Sequence, residues 1–165
     1  MGSQMFRSLG SAIAIGLISS AASADVLPTH RIPAALAMEA AEEVVAACAR
    51  QNYHETADVV DADGVSIAVL RGDGTGAHTL DSAHAKAYTA ASFKADTLAL
   101  SERAKGEDGI APLSKLPHVM FFGGGVPIKL GDETIGAIGA AGAPGAKLDD
   151  GCARAGLAKI SDRLK

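Results

Sequence analysis

The amino-acid sequence predicts an α+β fold in a single domain. The candidate strands are grouped, two after the first helix and three near the C-terminal end, and the connections within each group are short. Strands joined by a few residues run antiparallel, because a parallel crossover needs a dozen residues or more. Grouped strands and grouped helices indicate α+β rather than an alternating α/β fold. With 165 residues, the chain has the length of one domain.

Residues 1–24 have the features of an export signal. Arg7 supplies a positive charge, a short apolar run follows, and Ala22-Ser23-Ala24 has the small-x-small form that signal peptidase accepts. We therefore expect cleavage before Asp25 and a periplasmic or secreted mature domain of residues 25–165. The apolar run is shorter than the roughly 20 residues that span a bilayer, so the protein is not expected to be membrane-spanning. Residues 1–4 are either an alternative start before Met5 or a remnant of cloning.

The first half of the mature chain predicts a helix, a hairpin and two further helices. Apolar residues at helical spacing predict the first helix, from Pro33 to about Asn52. Two β-branched runs, 56–60 and 65–70, flank an Asp-Gly pair that is typical of a hairpin turn. After a glycine-rich loop at 71–76 we expect helices from about Leu80 to Phe93 and from Thr97 to Ala104, and then an irregular segment to Pro117.

The last third predicts three strands, 119–122, 126–130 and 134–141, and a closing helix from about Leu148 to Leu164. The third strand is unusual because glycine recurs in it and offers no side chain for packing. Such a strand requires something to lie close to its bare backbone. A helix or other backbone, a neighbouring subunit and a flat ligand all remain open at this point.

Charge and motifs exclude some functions. Without Arg7, 14 of the 15 Lys and Arg residues remain against 19 Asp and Glu, and this acidic balance argues against nucleic acid as a partner. The glycine runs at 123–125 and 142–146 fit neither of the nucleotide-binding patterns GxGxxG and GxxxxGK[ST]. Cys48 and Cys152 form a disulfide or lie as buried thiols, and both possibilities stay open.

Five motifs in fixed order resemble the GlcG/HbpS family, from about Pro33 onward. They are Arg71-x-Asp73-Gly74, Lys86-Ala87-x-Thr89-Ala90-Ala91, Gly123-Gly124-Gly125-Val126-Pro127-Ile128, Ile135-Gly136-Ala137-Ile138-Gly139 continuing to Gly142-Ala143, and Asp149 with Cys152-Ala153 and Ala155-Gly156-Leu157. His78-Thr79 ahead of Lys86 resembles the exported branch. The resemblance implies a profilin-like domain with a five-stranded antiparallel sheet flanked by helices. It also implies homo-oligomers, dimers or larger rings, and in some members haem binding, slow haem degradation or haem-linked sensing of oxidative stress.

Haem is the suspected cofactor. Because His is a common ligand of haem iron, the histidines are the candidate iron ligands. His78 is the first candidate for the iron, because it closes the glycine loop near Arg71 and Lys86, either of which could meet a propionate. Thr79 beside it is a further candidate contact. His118 is the second candidate for the iron, because strand mouths commonly border pockets.

Structural alternatives stand beside each of these assignments. His78 could cap the following helix, Arg71 could pair with Asp73, and Lys86 could be a cation on the helix surface. Three other histidines, His30, His54 and His84, are expected at exposed positions.

Three functions follow from this pattern. The first is a haem binder outside the cytoplasm. The second is a binding protein or enzyme for a small carboxylate, with Arg71 or Lys86 holding the acid and His78 acting as general acid or base. The third is an oligomeric partner of a membrane sensor protein that needs no ligand. The sequence contains no nucleophile and base at recognisable spacing, so enzymatic activity stays open and is the less favoured expectation.

Overall fold

The computed structural model describes residues 27–107 and 109–165, and the order of its elements confirms the α+β class. The elements are α1 (Ala34–Ala49), β1 (Thr56–Asp61), β2 (Ser66–Arg71), α2 (His78–Phe93), α3 (Thr97–Arg103), a 3-10 turn (Ala111–Lys115), β3 (Gly125–Leu130), β4 (Glu133–Ala141), α4 (Ala146–Ile160) and a final 3-10 turn (Ser161–Arg163). The expected signal peptide and its cleavage point lie outside the described residues. No helix in the described part of the chain is long and apolar enough to cross a membrane.

The sheet has the strand order β2-β1-β4-β3, and every neighbouring pair is antiparallel. The hairpin between β1 and β2 is confirmed, with Gly64 at φ +82° and its amide donating to the Asp61 carbonyl. The antiparallel sheet flanked by helices matches the expected architecture.

One of the five predicted strands, 119–122, is irregular instead. Its backbone groups bond to threonine side chains: the Met120 amide donates to Thr89 Oγ1 (2.8 Å), and the Phe122 carbonyl accepts from Thr97 Oγ1 (2.8 Å). These bonds satisfy the backbone without a neighbouring strand, so the sheet has four strands in the described part of the chain.

Helices cover both faces of the sheet. Helices α1 and α4 pack together on one face, and α2 covers β1, β4 and β3 on the other. The larger core lies under α1 and α4, while a small alanine-rich core joins α2 to Val60 and Ala137. A disulfide between Cys48 and Cys152 ties α1 to α4 across 104 residues of sequence, which decides between the two possibilities left open by the sequence.

The glycines of β4 lie against another part of the same chain. A Cβ added to Gly139 would stand 1.9 Å from the Ala83 carbonyl oxygen and 2.7 Å from the Ala87 nitrogen, both in the backbone of α2. Similarly, a Cβ on Gly142 would stand 2.1 Å from the His54 carbonyl oxygen. Of the three occupants that the sequence left open, a helix backbone is therefore the one found at Gly139.

Replacing Gly139 by alanine should test this packing directly. The added methyl group has no space against the backbone of α2, so we expect Gly139→Ala to lower the free energy of unfolding by about 3 kcal/mol or more. Gly151→Ala is the matched control, because Gly151 is exposed on α4 and a Cβ there meets nothing within 4 Å. It should stabilise the helix by about 0.5–1 kcal/mol. Urea denaturation followed by circular dichroism measures both, and equal stabilities for the two variants would contradict the proposed packing.

Candidate functional site

A surface cleft of about 270 Å³ forms where three connections meet. Its lining comes from the α1–β1 connection, the loop after β2, the start of α2 and the end of β4, and comprises Asn52, Tyr53, His54, Gly74, Thr75, Gly76, His78, Thr79 and Gly142. A second cleft of about 310 Å³ lies beside it and shares Tyr53 and His54, with Val45 and Ala49 on its apolar side. The two clefts therefore meet at the same aromatic pair.

His54 stands between the two clefts in a defined orientation. Its Nδ1 lies 2.7 Å from the Asp73 carbonyl oxygen, which only accepts hydrogen bonds, so Nδ1 carries the proton. In a neutral ring this leaves the lone pair on Nε2, the arrangement found in metal-bound imidazoles. His54 is exposed, as the sequence predicted. Its bond to Asp73 joins two loops 19 residues apart, so no local signal could have shown this orientation.

His78 lines the same cleft from the first turn of α2. An added Cβ on Gly76 would lie 2.7 Å from His78 Cε1, so the imidazole folds back over this glycine. Within the described residues neither ring nitrogen of His78 makes a hydrogen bond, and the structure shows no cap formed by this ring. The structure thus brings His78 together with His54, a pairing that the sequence did not suggest.

Arg71 and Thr79 shape the cleft wall through local hydrogen bonds. Arg71 Nε donates to the Thr75 carbonyl (2.8 Å), so this side chain closes the glycine loop without pairing with Asp73. Thr79 Oγ1 donates to the Gly76 carbonyl (2.7 Å) and lies 2.6 Å from Thr56 Oγ1, which must then donate to it. Arg71 is exposed and is not among the lining residues of either cleft, whereas Thr79 is buried and lines the first cleft.

Lys86 lies in the interior, so the surface-cation interpretation is wrong. Its side chain is 2% exposed, and Nζ donates to Asp149 Oδ2 (2.5 Å) and to the Ala140 carbonyl (2.8 Å). The ammonium also lies 5.2 Å from the centre of the Phe122 ring. A contact between Lys86 and a ligand would require this ion pair to open.

A second buried acid, Glu55, lies next to this pair and directly follows His54 in the chain. It is fully buried, and within the described residues its Oε1 has no hydrogen-bond partner. Its Oε2 lies 3.3 Å from Cys48 Sγ, a disulfide sulfur that has no proton to donate. Burial, followed by the charge of Asp149, raises the pKa of Glu55 to about 8. Glu55 is therefore mainly protonated at neutral pH, and Lys86 and Asp149 form the ion pair.

His118 lies in a different cluster, along the middle of α2. Its ring centre is 6.3 Å from that of His84 and 6.0 Å from that of Tyr88. His84 is not the free surface residue that we expected, because its side chain is only 34% exposed and its Nδ1 lies 2.9 Å from Asp58 Oδ2. The structure thus separates the two candidates for the iron, His78 and His118. Within the described residues, no group of three or more His, Cys, Asp or Glu side chains is arranged to hold a metal ion.

Comparison with known proteins identifies the family. The family described as haem-degrading protein HbpS-like matches residues 32–158, almost the whole described chain. The protein belongs to the HbpS-like family. No curated protein sequence matches the chain.

Solved structures agree with this membership. The crystal structure of a double mutant of Streptomyces reticuli HbpS is 34% identical with a TM-score of 0.76, covering 88% of this chain and 97% of HbpS. The Klebsiella pneumoniae protein ORFY is 24% identical with a TM-score of 0.79, covering 84% of this chain and 97% of its own. A PduOC:heme complex is 23% identical with a TM-score of 0.66, covering 74% and 89% of the two chains. The last two matches show the fold, and HbpS shares sequence as well.

The buried acid beside the cleft should make stability depend on pH. The folded pKa of Glu55, about 8, lies above its ordinary value of 4.5, so the folded state binds this proton more tightly than the unfolded state. Its contribution is fully present below pH 4.5 and is lost as the pH rises toward 8. We expect the free energy of unfolding to fall by roughly 2–4 kcal/mol over this range. The raised pKa of Asp149 acts in the same direction.

Glu55→Gln should remove most of this decline, because the amide has a similar shape and does not ionise. Urea denaturation at several pH values measures the slope. Glu42→Gln, on the exposed face of α1, is the matched control and should keep the slope of the parent protein. An unchanged slope in Glu55→Gln would show that Glu55 titrates near its ordinary pKa.

Proposed function

We propose that this protein is an exported haem-binding protein that holds the haem iron in the cleft between His54 and His78. Membership of the HbpS-like family supports a haem-related role. A structural neighbour that was solved as a heme complex adds support. The observation that carries the proposal is the meeting of two imidazoles from separate elements in one cleft, one of them oriented by a carbonyl oxygen.

The residues of the cleft fit this ligand. His78 stays the first candidate for the iron, and His54 offers the nitrogen opposite its bond to Asp73. The adjoining apolar cleft offers Val45, Ala49 and the Tyr53 ring to a flat face. Arg71, exposed on the loop, is the candidate partner for a propionate. Iron bound here would supply redox chemistry, and the protein would supply its ligands and a partly shielded surface.

The size of the cleft favours partial rather than complete enclosure of haem. Clefts of about 270 and 310 Å³ are at or below the small end of the range for small-molecule sites, and a porphyrin would extend beyond either. An exposed edge suits a protein that takes up and releases haem. The same small volume favours a second candidate function, the binding of a small carboxylic acid between Arg71 and His78.

Assembly into homo-oligomers and contact with a membrane sensor stay predictions from the family resemblance.

The proposed export also has structural support. The Cys48–Cys152 disulfide joins two helices of the core, and such bonds persist mainly in oxidising compartments outside the cytoplasm. The disulfide therefore supports the proposal that the mature protein is in the periplasm or the medium.

Expression of the protein with its complete N-terminal segment tests the proposed export. We expect mass spectrometry of the periplasmic or secreted fraction to show a chain that starts at Asp25 and lacks two hydrogens because of the disulfide. Ala24→Asp places a charged residue where signal peptidase requires a small one, so it should block cleavage. Recovery of the uncleaved parent chain from the cytoplasm would contradict export.

Titration with hemin tests the ligand. We expect a shifted Soret band with the tag-free mature protein, and His78→Ala or His54→Ala should each weaken hemin affinity by about tenfold or more, equal to ~1.4 kcal/mol. His30→Ala is the matched control, because His30 is exposed and paired with Glu133, away from the cleft residues. Absence of any Soret shift would overturn the haem proposal and leave the carboxylate function. Loss of affinity only in His118→Ala would show that the iron lies at the other histidine cluster.

A further inference from the structure

We propose that His84, His118 and Tyr88 form a second site, separate from the cleft, for a late first-row transition metal ion such as Cu²⁺ or Zn²⁺. The three side chains come from α2 and from the segment that precedes β3. Imidazole is a preferred ligand for these ions, and a tyrosine oxygen, which ligates iron in some haem proteins, would be the third donor. The proposal does not depend on haem binding.

The spacing of the three rings is close to that expected around one shared ion. The ring centres are 6.3 Å apart for His84 and His118, 6.0 Å for Tyr88 and His118, and 6.4 Å for His84 and Tyr88. When two imidazoles share one ion through bonds of about 2.0–2.1 Å, their ring centres lie roughly 5–6 Å apart. The observed separations exceed the upper end of this spacing by less than about 1 Å, so a small movement together with rotation of the rings would bring their donor atoms toward a shared ion. His118 is exposed and has the freedom to make it.

A buried carboxylate lies behind His84 and orients its ring. Asp58 Oδ2 lies 2.9 Å from His84 Nδ1, so the proton of a neutral ring is held on Nδ1 and the lone pair is on Nε2. Carboxylates commonly orient metal-binding histidines in this way and raise the basicity of the ligand. Asp58 is 2% exposed, and within the described residues its Oδ1 has no partner. A cation bound at His84 would provide positive charge next to this buried carboxylate.

His118 has an unusual backbone conformation, and the Tyr88 ring is packed against the hairpin turn. His118 has a backbone φ of +63°, a conformation that residues other than glycine seldom adopt and that often marks functional sites. Tyr88 packs against Gly64 of the hairpin turn, where an added Cβ would lie 2.5 Å from Tyr88 Cδ2. The segment thus presents His118 toward a tyrosine that is already fixed by the turn.

A hydrolytic role for this cluster does not fit its geometry. Ser66 Oγ lies 2.8 Å from Asp58 Oδ2 and 3.2 Å from His84 Nδ1. Serine and aspartate therefore contact the same imidazole nitrogen, whereas a proton relay needs them on opposite nitrogens. Ser66 acts here as a further hydrogen-bond partner of Asp58, which leaves His84 Nε2 for an external ligand.

Titration of the tag-free, metal-stripped mature protein with Cu²⁺ and with Zn²⁺ tests the site. Isothermal calorimetry should show one ion per chain. Electron paramagnetic resonance of the Cu²⁺ form should show coupling to imidazole nitrogen, and a phenolate-to-copper absorption band should disappear in Tyr88→Phe. His84→Ala and His118→Ala should each weaken affinity by about tenfold or more, and Asp58→Asn by about 10–100-fold.

Control variants separate this site from the cleft and from the N-terminal segment. His54→Ala, His78→Ala and His30→Ala should leave metal affinity unchanged, and His118→Ala should leave hemin affinity unchanged. Because His118 is exposed in an irregular segment, its alanine variant should fold, which thermal denaturation checks. Metal binding that survives both His84→Ala and His118→Ala, or is lost only in the cleft variants, would overturn the proposal.

Discussion

The close contact of helix α2 with strand β4 at Gly139 sets the positions of His78, Lys86 and His84. No side chain separates the two backbones, so the register of the helix is set by the strand below it. From this register His78 reaches the cleft at one end of the helix. Lys86 reaches Asp149 on α4, and His84 reaches Asp58 on β1. A shift of the helix by one residue would move all three side chains together.

The buried ion pair connects this helix to the opposite side of the molecule. Lys86 Nζ bonds both to the end of β4 and to Asp149 on α4, and Asp149 Oδ1 in turn accepts from the Ala143 amide (3.0 Å). Breaking a buried pair by removing one partner typically costs about 3–5 kcal/mol, because it leaves an unpaired charge. The turn between β4 and α4 is thus held by one carboxylate. Glu55 is electrostatically coupled to the same carboxylate and directly follows His54 in the chain.

Local sequence patterns predicted the secondary-structure elements well. The candidate site was harder to predict, because it depends on contacts between residues that are distant in the sequence. The hairpin at Gly64 and the amphipathic helices follow from turn chemistry and spacing that are visible within a few residues. The glycines of β4 correctly indicated a close approach, although not the identity of the approaching backbone. The strand expected at 119–122 failed because threonines on two distant helices bond to its backbone. Lys86 was open to interpretation as a surface cation because its partner, Asp149, lies 63 residues away.

The two proposed sites are built in a similar way but have different surroundings. This difference determines which ligand each site would favour. Each uses one imidazole from α2, and in each an imidazole Nδ1 is held by an oxygen acceptor, Asp73 O in the cleft and Asp58 Oδ2 in the second cluster. A carbonyl orients a ring without adding net charge, and the neighbouring cleft wall is apolar, which suits a large flat group. A buried carboxylate adds negative charge behind three rings within about 6.5 Å of one another, which leaves room for an ion and favours a cation. The neutral acceptor behind His54 and the charged acceptor behind His84 are therefore the feature that would separate a haem site from a metal-ion site.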